Sequence, residues 1–148
     1  MSASIPRRLL VVANRTAATP RLLDAVREKA AGGATEVTLL VPAFPTVFDP
    51  EALETRHTLA LAIPLLEEAT GTPVRGIVGD PDPFAAVRLA MKQQPYDEVV
   101  ISTLPTRISR WVKRDLPQRV ERLGVPVTVV TASPAAAMMG RSMVPQSP

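Results

Sequence analysis

The sequence predicts an α/β domain: a doubly wound open sheet of about five parallel strands, with helices on both faces and strand order 3-2-1-4-5. Short Val/Ile/Leu-rich runs recur along the chain with little polar alternation, as strands covered on both faces require. The stretches between them are long enough for crossover helices. Several of those stretches open on a capping side chain followed by proline, a helix-start signal.

Leu9–Ala13 is the first strand candidate. It follows Arg7 and Arg8, yet it is too short for the apolar region of a signal peptide, and Asn14 and Arg15 end it. Thr19-Pro20 then opens a helix with Leu22, Leu23, Val26 and Ala30 on one stripe and Arg21, Arg27 and Glu28 outside it. Val37–Val41 is the second strand. Asp49-Pro50 starts the second helix, lined by Leu59, Ala62, Ile63 and Leu66. Pro64 is expected to kink it by removing a backbone hydrogen bond.

Val74–Val78 is the third strand. Asp80-Pro81 is the next cap, and Asp82-Pro83 offers the same chemistry two residues later. Phe84, Val87 and Met91 form the inner face of the helix that follows. Val99–Ser102 is the fourth strand. Within Ile108–Leu123, Pro117 separates a short helix ending near Arg114 from a second one, which Gly124 closes and Pro126 stops. Val127–Thr131 is the last strand. The expected organisation is an extension over 1–6, one domain over 7–131, and a flexible Pro/Ala/Met-rich tail over 132–148.

Composition narrows the function classes. The 148 residues are 46% hydrophobic and 21% charged, enough to bury a core without metals or disulfides. The absence of cysteine removes thiolate chemistry and suits a reducing cytoplasm, the expected location. A net charge of +3 with only 3% aromatic residues argues against a general nucleic-acid binder. No apolar run approaches the roughly 20 residues that cross a bilayer.

In such a sheet, ligands bind beyond the carboxyl ends of the strands where the winding reverses, here between strands one and four. The connections meeting there are Asn14-Arg15-Thr16 and Ser102-Thr103-Leu104-Pro105-Thr106, and Arg107, Ser109, Arg110, Lys113 and Arg114 follow the second. Hydroxyl and guanidinium groups near a helix start suit a phosphate or carboxylate. The competing explanation is that loops are polar by default and the arginines form a solvated helix face.

At these residues the chain resembles the universal stress protein family. Four stretches carry the likeness: Leu10–Thr16, Val78-Gly79-Asp80-Pro81, Tyr96–Ser102, and Arg119–Arg122 with Val125–Val130. The resemblance implies a nucleotide site at Ala13, Asn14, Arg15, Thr16, Val41, Ser102, Thr103, Arg107, Arg110, Arg114 and Asp115, with ATP or another adenine nucleotide as the candidate ligand. It also implies a homodimer, assembled through the exposed edge Val127–Thr131.

The site departs from the pattern of ATP-binding members. Their first two loop glycines fall on Ser102 and Pro105, and the third on Arg114 or Asp115. Glycines let the backbone approach the phosphates, whereas Pro105 lacks an amide donor and Asp115 brings negative charge. Their aspartate after strand one is Asn14 here, which can still donate and accept. Arg107, Arg110, Lys113 and Arg114 are the groups able to replace backbone amides with side-chain charge.

Other chemistries find little support. His57 lies beside Arg56 on a helix with no acid or nucleophile near it in the pattern, and Asp80 and Asp82 read as caps. No Walker A loop, Gly-x-Ser-x-Gly elbow or His-Glu-x-x-His motif occurs. Trp111 is expected to pack a helix or an interface. The leading expectation is a non-catalytic binding or regulatory protein with a modified anion pocket. The alternatives are an ATP-hydrolysing member of the superfamily, or an interaction module whose Arg107–Arg114 segment meets an acidic partner.

Overall fold

A computed structural model describes residues 6–13, 17–43, 49–103 and 115–131; over 49–55 the description is of the backbone alone. Its strands are β1 (Arg7–Val12), β2 (Thr35–Pro42), β3 (Val74–Gly79), β4 (Glu98–Thr103) and β5 (Val127–Thr131). The helices are α1 (Pro20–Ala30), α2 (Asp49–Thr70), α3 (Pro83–Gln93) and α4 (Leu116–Glu121). All neighbouring strands are parallel, in the order β3-β2-β1-β4-β5. That is the doubly wound sheet expected from the sequence.

The apolar runs lack alternation because both faces of the sheet are covered. Leu9 and Val11 of β1 point into one cluster with Leu22 and Val26 of α1 and Ala62 and Leu66 of α2. Leu10 and Val12 point the other way, to Ala86, Val87 and Ala90 of α3 and Leu116 and Val120 of α4. A side chain of this kind contributes roughly 1.5–3 kcal/mol when fully buried. Gly79 at the end of β3 serves the second layer. A Cβ there would lie 2.7 Å from both the Ala86 Cβ and the Leu40 Cδ1, so α3 packs at a distance only glycine permits.

The helix starts refine the cap–proline signals. Asp82, not Asp80, caps α3: its carboxylate accepts from the Phe84 N–H at 3.1 Å, with Pro83 in the first turn. The Asp80 carboxylate accepts from the Asp82 N–H at 2.9 Å and shapes the approach. Thr19 holds the N-cap position of α1, but its hydroxyl makes no capping bond; the first turn closes through Leu23 N–H to the Thr19 carbonyl. Pro64 lies within the continuous helix α2. Gly124, at φ 96°, ends the α4 turn in the left-handed region that glycine tolerates.

The amino ends of β1 and β4 are tied together by two consecutive carboxylates. Asp97 accepts from the Arg8 N–H at 2.7 Å and returns its own N–H to the Arg8 carbonyl. Glu98 is buried, 6% exposed, and receives Lys29 of α1 at 2.6 Å, Thr128 of β5 at 2.7 Å and Arg7 of β1 at 2.8 Å. Burial alone would raise its pKa. The hydrogen bonds from Lys29, Thr128 and Arg7, with the Lys29 charge, outweigh that and hold the carboxyl below its usual range.

A carboxyl whose folded pKa is lowered adds stability above its unfolded value and loses it as pH falls through the folded one. The urea midpoint should therefore begin to drop below about pH 4.3, and Glu98→Gln should lack that component. At neutral pH the same substitution should reduce unfolding free energy by about 2–3 kcal/mol, because two cations lose their carboxylate. Urea titrations of both proteins across this pH range check the prediction, and equal midpoints would contradict it.

Candidate functional site

The carboxyl ends of β1 and β4 lie side by side, paired from Leu9↔Glu98 to Val12↔Ile101. Here the winding reverses: α1 and α2 cover one face of the sheet, α3 and α4 the other. Ala13, directly after β1, is fully buried and donates its N–H to the Leu40 carbonyl at 3.2 Å. Ala17 is buried in the same cluster, so the polar triplet Asn14-Arg15-Thr16 is bounded on each side by an anchored alanine. Asn14, Arg15 and Thr16 themselves lie outside the described residues, as do Arg107, Arg110 and Arg114.

Val41, near the end of β2, is a core residue whose side chain is wholly enclosed by the α1/α2 layer. The last two residues of β4 face opposite layers, as strand pleating demands. Ser102, 1% exposed, follows the Val100 face, and Thr103 follows the Ile101 face. Thr103 is the exception in the polar accounting. Its Oγ1 is buried and, among the described residues, is the one buried side-chain polar atom without a hydrogen-bond partner. An unmade bond of this kind costs about 1–3 kcal/mol.

Asp115 stands at the head of α4, exposed, with φ 54° and ψ 37°. This is the left-handed region, and Asp115 is the one non-glycine residue that occupies it among those described. Its carboxylate makes no capping bond to the helix. A left-handed residue at this point in the chain is where glycine would be at ease.

The remaining groups lie elsewhere. His57 is exposed on α2, and the carboxylates of Asp80 and Asp82 accept backbone N–H groups. Among the described residues no set of three His, Cys, Asp or Glu side chains is placed to hold a metal ion. None of their helices is long and apolar enough to cross a membrane. Trp111 falls outside the described residues. Sequence reasoning missed the Glu98 network and the left-handed Asp115. The first had a signal, a glutamate opening an otherwise apolar strand; the second had one in the resemblance, which puts a loop glycine at Arg114 or Asp115.

This is the fold of the universal stress proteins. A universal stress protein from Archaeoglobus fulgidus is similar with a TM-score of 0.65 and 16% identity, over 85% of this chain and 94% of that one. A structure of the Archaeoglobus fulgidus protein in complex with dAMP is similar with a TM-score of 0.62 and 16% identity, over 85% and 98% of the two chains. A universal stress protein in complex with cAMP gives 0.60 and 19%, over 88% and 100%. The sequence itself matches no protein-family model and no curated protein.

Replacing the unpartnered hydroxyl by a methyl group tests its energetic standing. Thr103→Val should raise the unfolding free energy of the ligand-free protein by about 1 kcal/mol, measured by urea denaturation. A loss of stability would mean that the hydroxyl is satisfied in solution.

Proposed function

We propose that this chain is a non-catalytic binding protein of the universal stress type that holds a small anionic ligand, an adenine nucleotide, between the carboxyl ends of β1 and β4. The observation that carries this reading is the buried, unpartnered Thr103 hydroxyl at the end of β4, beside the winding reversal. A polar atom left unsatisfied in a folded core is matched when a ligand supplies the partner. Two proteins with this fold were determined with adenine nucleotides, cAMP in one and dAMP in the other.

The positive charge comes from the two connections at that end. Arg15 follows β1, and Arg107, Arg110, Lys113 and Arg114 follow β4. Side-chain guanidinium groups take the part that glycine-loop amides take in ATP-binding members, holding the phosphate through charge-assisted bonds. Asn14, Thr16, Ser102 and Thr103 supply neutral donors and acceptors. The reading is non-catalytic because the described acids and His57 form no acid/base pair: Asp82 caps α3, Asp80 accepts the Asp82 N–H, Asp115 is exposed and His57 is exposed on α2.

Calorimetric titration with magnesium–ATP, with AMP as comparison, tests the site. Saturable binding near one ligand per chain is expected, and Arg107→Ala with Arg110→Ala should weaken it. No heat at protein concentrations able to detect sub-millimolar affinity would overturn the reading. Asp115→Gly should tighten nucleotide binding several-fold, since it removes a carboxylate from the edge of the site. Its effect on stability should be near zero, because relief of left-handed strain of about 1 kcal/mol offsets a comparable gain in unfolded-chain freedom.

The same reading includes a homodimer through β5. Among the described strands, β3 and β5 are the sheet edges. At β3, Glu67 accepts the Val74 N–H at 3.0 Å and Arg75 is exposed, two devices that discourage pairing. β5 reads Val-Thr-Val-Val-Thr, with neither charge nor proline, and Val129 is 42% exposed. Sedimentation should give a dimer for the native chain and a monomer for Val129→Lys; a native monomer would remove this part of the proposal.

A further inference from the structure

The outer face of α3 and α4 carries positive charge with no partner. Arg119 of α4 sits over the Phe84 ring of α3, its guanidinium carbon 4.0 Å from the ring centroid, and Arg88 approaches the same ring at 5.8 Å. Phe84, Arg88 and Lys92 follow at four-residue intervals, so they form one line along α3. Arg122 is exposed just past the end of α4. None of these four cations takes part in an ion pair among the described residues, where Arg7, Arg8, Arg27 and Lys29 all do. The acids on these elements do not neutralise them: Asp80 and Asp82 accept backbone N–H groups, and neither they nor the exposed Glu121 of α4 forms an ion pair with these cations among the described residues.

We infer that this face is a docking surface for a carboxylate-rich segment of another protein. A guanidinium placed over a phenyl ring is partly desolvated by it and still has N–H donors for a carboxylate. Cations one helical turn apart match carboxylates at the same spacing on a partner helix. Leu89 of α3 (55% exposed) and Leu123, just past α4 (38% exposed), offer apolar contact beside the charges. A polynucleotide fits less well, since Arg119 already occupies a face of the Phe84 ring and bases need a free one to stack.

The occupant is not another part of this chain. Residues 1–5, 14–16, 44–48, 104–114 and 132–148, which lie outside the described set, contain no aspartate or glutamate. The acidic positions Asp49, Glu51 and Glu54 belong to α2, which covers the opposite face of the sheet. The inference is independent of the nucleotide reading.

Fluorescence anisotropy with a short labelled peptide carrying glutamates one helical turn apart tests it, using the full-length protein. Saturable binding that weakens with added salt is expected. Arg88→Glu with Arg119→Glu should weaken it by about tenfold or more. Arg21→Glu with Arg56→Glu makes the same charge change on the opposite layer and should alter it by no more than about twofold. Amide-resonance mapping on the native protein should place the peptide at Phe84, Arg88 and Arg119, whether or not the variants fold. Equal weakening by both pairs of reversals, or resonance changes confined to other elements, would overturn the inference. So would tighter binding of a single-stranded oligonucleotide at the same residues.

Discussion

β1 and β4 share the centre of the sheet, and each must be buried on both sides at once. Leu9, Leu10, Val11 and Val12 are all at most 1% exposed, as are Val99, Val100 and Ile101 across from them. A strand in that position cannot alternate apolar with polar residues. It needs a helix layer above and another below, which right-handed crossovers supply only if the chain winds outward from β1 in one direction and then returns past it in the other. The crevice at the carboxyl ends is a by-product of that reversal, since no connection bridges β1 and β4 directly.

The two ends of this central pair are treated differently. At the amino end the charges are engaged: the Arg8 guanidinium meets Glu36, Arg7 and Lys29 meet Glu98, and the Asp97 carboxylate accepts the Arg8 backbone N–H. Glu98 is the deepest of these groups, and its bonds reach three other elements, α1, β1 and β5. Among the described residues, no ion pair lies at the carboxyl end of β1 and β4. Its connections bring arginine and lysine without acids until Asp115, and the buried Thr103 hydroxyl is unmatched.

Much of this architecture was legible in the residues. The five apolar runs fell within one or two residues of the observed strands, because burial on both faces leaves an unbroken hydrophobic signature. Proline in the first turn marked α1, α3 and α4. The choice between Asp80 and Asp82 was not legible, as both dipeptides satisfy the cap chemistry and only the packing of α3 against Gly79 decides. Ser102 and Thr103 end β4, as the apolar run indicated, but strand residues alone do not say which hydroxyl finds a partner. Ala13 and Val41 proved to be enclosed core residues. Asn14, Arg15, Thr16, Arg107, Arg110 and Arg114 lie outside the described residues.

The left-handed Asp115 bears on how such a site is related to a glycine-loop one. The turn into α4 takes a positive φ at Asp115, where a side chain strains it. Aspartate is among the few non-glycine residues that tolerate this region, so the turn forms at modest energetic cost. The chemical consequence is larger than the conformational one. A glycine leaves the backbone open to an anion, whereas a carboxylate at the same point repels it unless neighbouring cations compensate. Arg114 precedes Asp115 directly, and Lys113, Arg110 and Arg107 come before it. Under the proposed reading, an anion bound here would rely on those side-chain cations, and its affinity would fall with ionic strength.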